Sequence, residues 1–400
     1  MKAGVYLHIP FCRSRCSYCD FATDVFKNAE TVERYVAALV KEIERSEPPA
    51  VAGGFNVKNF DADEKSALAD ARASASIDTI YFGGGTPSLL SPRQLGKILD
   101  SIHKKFAVKK NIELTMEMNP ATVTLETLKE YRNLGVNRAS FGAQTFDDTE
   151  LKRLGRRHTA QDVRETIELL RAANFENVSF DLIAGLPRQT LADWERNLDE
   201  ALKLKPEHLS LYLLEIHEGT PLAEQIRTNR QPLPDEDLAG EMYESMLDKT
   251  ARKGYAQYEI SNFSLAGFES RHNSKYWLCE PVYAFGVSAH SFDGGRNRWS
   301  NERDTSRYVA LVENNQTPVA EKNELDEKQL SAEFAFLRLR LATGLHLGEY
   351  ENRFGVDLRR ELAADLRRLE DLGLIEFDED FLKLTRKGFV FSNEVFALFV

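Results

Sequence analysis

Cys12, Cys16 and Cys19 carry the clearest chemistry in the chain. They are spaced C-x3-C-x2-C in Tyr6-Leu-His-Ile-Pro-Phe-Cys12-Arg-Ser-Arg-Cys16-Ser-Tyr-Cys19, directly after a strand-like run. Thiolates are soft ligands that suit iron–sulfur clusters and zinc. A structural zinc site usually closes with four ligands, and the local supply stops at three. Three thiolates on a cubane leave one iron open to the amino and carboxylate groups of a chelating ligand. A zinc knuckle completed by His8 or Cys279 is the alternative. A disulfide scaffold would spread its cysteines along a smaller secreted chain.

Further candidates follow downstream. Tyr81-Phe82-Gly83-Gly84-Gly85-Thr86-Pro87 closes a strand, and consecutive glycines let backbone approach a ligand. In Ile112-Glu-Leu-Thr-Met-Glu-Met118, alternation sends the apolar residues to one face and Glu113, Thr115 and Glu117 to the other. Glu117 therefore looks inward near the strand's C-terminal end, where ligands bind in β/α barrels; a rim salt bridge is the plainer alternative. Arg156 suits a carboxylate, with Arg157 as an adjacent competitor. Asp181 lies on an apolar strand and needs hydrogen-bond partners there, which an inner ion pair would also supply. In Arg271-His272-Asn273-Ser-Lys-Tyr276-Trp277 a histidine stands beside two flat apolar rings; a packed structural histidine is the plain reading.

These residues need a scaffold. Strands are expected at Gly4–Ile9, Ile77–Phe82, Ile112–Met118, Arg138–Gly142, Val178–Ala184 and His208–Leu214, with amphipathic helices between them. Strand–helix alternation predicts α/β architecture with a parallel sheet, as an open barrel or a doubly wound sheet. Residues 45–76 read as a surface insertion with a short helix over Glu64–Ala73, and 301–328 as a polar linker. Beyond it, helices at Gln329–Leu341 and Leu358–Leu372 precede a hairpin of Leu374–Phe377 and Phe381–Leu384, a winged-helix pattern. Its arginines are offset by acids, so it reads as a packing module rather than a DNA reader.

The chain has 400 residues, 42% hydrophobic and 29% charged, with a net charge of −11. That length buries a large core without disulfides, and that charge argues against a generic nucleic-acid binder. No signal peptide or apolar run long enough to span a membrane is read, so a cytoplasmic protein is expected.

The Tyr-x-His-Ile-Pro-Phe-Cys lead-in, the C-x3-C-x2-C spacing, Tyr18 before the last cysteine, and the glycine turn, Glu117 and Gln144 in order resemble the radical S-adenosylmethionine (SAM) superfamily. The resemblance implies a partial (β/α)6 barrel and a [4Fe–4S] cluster on Cys12, Cys16 and Cys19. It further implies SAM bound by Tyr6, Tyr18, Gly84, Gly85, Thr86, Glu117, Gln144, Arg156 and Asp181. In that superfamily an electron from the cluster cleaves the sulfonium of SAM.

The resemblance narrows to the branch holding oxygen-independent coproporphyrinogen III oxidases and HemW-type haem chaperones. Cys12 has only 11 residues before it, Phe21 stands where the oxidases place a cysteine, and His272-Asn273-Ser-Lys-Tyr276-Trp277 matches the chaperones' HNxxYW motif. These features imply haem as ligand at His272, Asn273, Tyr276 and Trp277, with haem-acceptor proteins as partners. Oxidative decarboxylation of coproporphyrinogen III is the alternative function, and that activity is expected to be absent. Ser288 stands where relatives show a glycine-rich turn. The implied domains are a barrel over 1–215, an aromatic-rich α+β extension over 216–328 and a winged-helix-like domain over 329–400.

Overall fold

The structure is a computed structural model that describes residues 2–26, 28–46 and 76–399. The insertion expected over 45–76 lies outside the described residues, apart from Arg45, Ser46 and Ser76, and so does the helix expected over Glu64–Ala73. Six strands alternate with helices as far as residue 213: β1 (Lys2–Ile9), β2 (Ser76–Gly84), β3 (Ala107–Met118), β4 (Arg138–Gln144), β5 (Val178–Ala184) and β6 (His208–Leu213). Side chains alternate faces along a strand; Val5, Leu7 and Ile9 share one face of β1, Ile80 and Phe82 share one face of β2, and all five are fully buried.

The chain forms two compact units, interleaved along the sequence. One holds residues 1–178, 217–224 and 280–324; the other holds 179–216, 225–279 and 325–400.

In the first unit β1, β2, β3 and β4 pair in parallel, and Val282–Phe285 joins β1 in parallel on its other side. The antiparallel strands His290–Phe292, Asn297–Asn301 and Val319–Glu324 extend that edge. The register sets Tyr6 beside Tyr81 and Ile9 beside Gly84, so the cysteine loop leaves β1 next to the glycine turn. The flanking helices begin where the sequence supplies caps. Ser91 and Gln94 form a capping box for Pro92–Lys105, and Thr159 and Asp162 one for Ala160–Ala172. Each such cap contributes about 1 kcal/mol.

Residues 301–328 are not a linker. Thr305–Glu313 is a helix that buries Tyr308, Val309 and Val312, and Val319–Glu324 is a strand. The strand lies at a sheet end with mostly exposed side chains, so it is polar and carries no apolar alternation.

In the second unit β5 and β6 are parallel, and Asn262–Ser264 and Ala256–Glu259 follow antiparallel beside β6. The last segment is a helix over Glu327–Leu339, short helices, and a three-stranded sheet with Phe381–Leu384 between Leu345–His346 and Ile375–Asp378. The hairpin stands within one residue of its expected place. The helix expected over Leu358–Leu372 breaks at Leu362 into Leu358–Glu361 and Ala363–Asp371. The spacing of Leu358, Leu366 and Leu369 fits one helix or two. Leu345–His346 and Leu347–Phe354 escaped notice because they are too short to show a period. No helix among the described residues is long and apolar enough to cross a membrane.

Candidate functional site

The cysteine loop is tied down at its base and at its middle. Phe11–Cys12 pairs in parallel with Asp24–Val25, and Phe26 N–H donates to the Cys12 carbonyl at 2.7 Å. Ser17 N–H donates to the Leu154 carbonyl at 2.9 Å. His8 is buried under this loop. Its Nε2 donates to the Ala22 carbonyl at 2.8 Å, so its Nδ1 accepts from the Tyr6 hydroxyl at 3.1 Å. Burial lowers its pKa and keeps it neutral. With both nitrogens engaged, His8 is a structural tie, which removes one fourth ligand of the zinc reading.

All three thiols are free and half-buried. Burial raises the pKa of Cys12 and pushes that of Cys19 up to about 11. Two donors point at the sulfurs: Thr86 Oγ1 reaches Cys12 Sγ at 3.6 Å, and Arg156 Nη1 reaches Cys16 Sγ at 3.5 Å. Among the described residues no three or more His, Cys, Asp or Glu side chains gather so as to hold one metal ion. A cubane binds each thiolate at a separate iron and asks for no such convergence. Three adjacent soft donors, backed by N–H and O–H groups, fit a cluster of that kind.

A polar chain surrounds the thiols. Arg156 Nη2 donates to Asn119 Oδ1 at 2.9 Å and to the Gly142 carbonyl at 2.5 Å, and Asn119 Nδ2 donates to Thr86 Oγ1 at 2.7 Å. Burial opposes the Arg156 charge, but Tyr18, Cys16 and Cys12 outweigh it and raise the pKa. Arg157 is exposed and shares with Arg156 the lining of the cavity beside Cys16; of the two, Arg156 is the one whose guanidinium reaches a thiol. Cys16, Thr86, Asn119 and Arg156 line a cavity of about 90 Å³, room for a small polar group.

Glu117 stands at the end of β3 on the inward face, half-buried. Its carboxylate accepts from the Tyr81 hydroxyl at 2.7 Å and from Gly84 N–H at 3.1 Å. The glycine turn is tight for a reason. Gly84 has φ +105°, and a Cβ there would fall 2.6 Å from the His8 ring; one on Gly85 would fall 2.7 Å from the Pro10 backbone. Tyr6 stacks on Tyr81 with centroids 6.1 Å apart. Gln144 is buried with φ +66°, and its amide folds back onto Gly142, where a side chain would collide with it.

Asp181 belongs to the second unit, half-buried on β5 and in register with Ser210. The HNxxYW segment also lies there, as the helix Arg271–Trp277 capped by Ser270. His272 is 1% exposed, with its Nε2 3.3 Å from the Tyr276 hydroxyl. Tyr276 is 37% exposed, so it is the ring that the motif presents, and Asn273 is half-buried. Cys279 follows the helix with φ +53°.

The family model described as Radical SAM superfamily matches residues 6–201, and the one described as HemN C-terminal domain matches residues 325–391. A protein of Bacillus subtilis named Heme chaperone HemW is 35% identical over 401 residues, covering 100% of this chain and 99% of its own length. One of the same name from Haemophilus influenzae is 30% identical over 405 residues, covering 99% and 97%. The chain belongs to the HemW family of radical SAM proteins. The solved structure of coproporphyrinogen III oxidase (HemN) from Escherichia coli, described as a radical SAM enzyme, matches with a TM-score of 0.80. It covers 100% of this chain and 89% of the solved one at 21% identity. At that identity the likeness speaks for the fold, the partial β/α barrel with its extension and C-terminal domain.

Within this HemW-family chain, sequence reasoning missed Asn119 and Tyr81. Asn119 joins Arg156 to Thr86, and Tyr81 fixes Glu117. Tyr81 sits inside the quoted glycine motif and Asn119 two residues past Glu117, so position on a strand end was the available signal.

Proposed function

We propose that the chain is a haem chaperone that carries a [4Fe–4S] cluster and SAM, binds haem, and passes it to acceptor proteins. The observation that carries this reading is the likeness to relatives named Heme chaperone HemW along almost the whole of both chains. Cys12, Cys16 and Cys19 would hold the cluster. SAM would take Tyr6, Tyr18, Gly84, Gly85, Thr86, Glu117, Gln144, Arg156 and Asp181. A cluster of this type supplies a low-potential electron to bound SAM. The chain's own part is positioning: Arg156 and Thr86 present hydrogens to sulfur, and Asn119 fixes both. Tyr81 and Gly84 hold Glu117 in place for a ribose hydroxyl. Haem would meet the His272–Trp277 helix.

The test is a haemin titration, followed by absorbance, on reconstituted wild type and His272→Ala. A saturable shift that weakens or changes shape in the variant is expected. Since His272 is buried, ligation also requires the imidazole to be uncovered. Superimposable titrations would remove His272 as a ligand. An anaerobic assay with coproporphyrinogen III should yield no vinyl product; turnover would make decarboxylation the main role.

A further inference from the structure

The C-terminal segment brings a cation onto the motif helix. Arg340 caps the Glu327–Leu339 helix, and its guanidinium carbon lies 4.3 Å from the centre of the Trp277 ring. Glu259, fully buried on the Ala256–Glu259 strand, stands 3.7 Å from Arg340 Nη2. Ser261 N–H at 3.0 Å and the Asn262 side-chain amide hold the other oxygen of Glu259. The carboxylate is therefore fixed, and it orients the guanidinium over the indole.

Two buried donors in this cluster have no acceptor among the described residues, Trp277 Nε1 and Arg340 Nε. Buried N–H groups are costly to leave unpaired. Two of them on side chains stacked against each other mark a place where an acceptor belongs. The Arg340 side chain is 27% exposed although both donor nitrogens are themselves buried, so a ligand meets the guanidinium edge from outside and reaches the two N–H groups only on settling against the rings. Beside Trp277 stands the exposed ring of Tyr276, with centroids 6.5 Å apart and planes at 60°. A flat apolar surface thus adjoins a cation with an unused N–H. That pattern suits a planar ligand with an acidic edge, since a guanidinium pairs best with a carboxylate.

We propose that Arg340 and Trp277 Nε1 receive a carboxylate of the ligand laid against Tyr276, which, on the haem reading above, is a haem propionate. Arg340 is then the residue by which the C-terminal domain takes part in cargo recognition.

The experiment compares haemin with haemin dimethyl ester, titrated into the reconstituted full chain. Wild type should bind haemin at least about tenfold tighter than the ester. Arg340→Gln should abolish that preference, and Arg340→Lys should keep part of it. Because Arg340→Gln leaves Glu259 buried without its cation, the double variant Glu259→Gln/Arg340→Gln, checked by circular dichroism, supplies the same comparison in a neutral setting. Equal binding of acid and ester by wild type overturns the proposal. So does a preference that survives in the double variant. If wild type binds neither compound saturably, the haem reading fails and this proposal with it, an outcome distinct from a haem site indifferent to its propionates.

Discussion

The cysteine loop and the HNxxYW helix hold their chemical groups in opposite states of readiness. Around the thiols the supporting groups are already placed: Asn119 is hydrogen-bonded to both Arg156 and Thr86, and those two are aimed at sulfur. On the motif helix the residue best suited to metal is covered, with His272 at 1% exposure, while Tyr276 and Arg340 reach the surface. A resident cofactor rewards a site fixed in advance, because preorganisation removes the ordering cost of binding. A cargo that must leave again is better served by surface groups and by a ligand that engages only after a rearrangement. On the function proposed above, the first region is a permanent holder and the second a transient one.

The largest effect should come from breaking the holder. Cys16→Ala takes away one of three thiolates, and the reconstituted variant should lose the broad visible absorption of the cluster and most of its iron. Haemin binding should persist, since the motif helix uses none of these groups. Iron content equal to wild type would refute the three-thiolate site, and loss of haemin binding would refute the independence of the two regions.

Each of the two compact units also contains a buried glutamate, Glu42 in the first and Glu259 in the second, and the two differ in how they are compensated. Glu42 accepts from Tyr308 and Asn301, both at 2.6 Å, and from Gly286 N–H at 2.9 Å; burial pushes its pKa up to about 7. Burial also raises the pKa of Glu259, and the neighbouring Arg340 works against that rise. The folded pKa of Glu42 lies above the ordinary 4.5, so the protonated form favours folding. Its contribution is complete below pH 4.5, falls as pH rises to about 7, and is flat above. The gap between 4.5 and about 7 corresponds to about 3 kcal/mol. Urea unfolding of wild type and Glu42→Gln from pH 4.5 to 8 should show wild type losing about that much relative to the variant. A difference that does not move with pH would mean that Glu42 titrates normally.

A smaller effect separates two adjacent arginines. Arg156 donates to Cys16 Sγ, whereas Arg157 is exposed. Arg156→Gln should weaken SAM binding by about 10- to 100-fold, the worth of a hydrogen bond to a charged group. Arg157→Gln should stay within about twofold, as surface changes do. Asn119→Ala, which cuts the link from Arg156 to Thr86, should fall between them. Equilibrium SAM binding to the reconstituted protein decides the order; equal losses at Arg156 and Arg157 would put the carboxylate contact elsewhere.

Much of this was legible in the chain because it is local. The C-x3-C-x2-C spacing, the strand runs, and the alternation that turns Glu117 inward are contained within short windows. The helix over Thr305–Glu313 was hidden because its apolar face is only Tyr308, Val309 and Val312 in a polar stretch. Asn119 and Tyr81 were hidden for another reason. Their partners, Arg156 and Glu117, lie more than 30 residues away, and a hydrogen bond across that distance has no period to read. Arg340 is the extreme case, since nothing near it in sequence says that it stacks on Trp277.

The finest comparison lies in the backbone. Ser288 in the first unit has φ +54° and Cys279 in the second has φ +53°, conformations that favour glycine. At Ser288 the left-handed backbone stands in a turn in which Ala289 N–H donates to the Gly286 carbonyl at 3.3 Å, and Ser288 N–H donates to the Glu302 carbonyl at 2.8 Å. At Cys279 the geometry is that of a helix end, with its N–H donating to the Tyr276 carbonyl at 3.2 Å. Glycine at either position relieves about 1–2 kcal/mol of left-handed strain and gives back about 0.5–1 kcal/mol of chain entropy. Each variant should therefore gain about 0.5–1 kcal/mol in urea unfolding. For Cys279 the same variant answers a second question. If the residue serves only to end the motif helix, Cys279→Gly should titrate with haemin as wild type does. A changed haem spectrum would make its thiol a ligand, and the motif helix would then end in a metal-binding group rather than a cap.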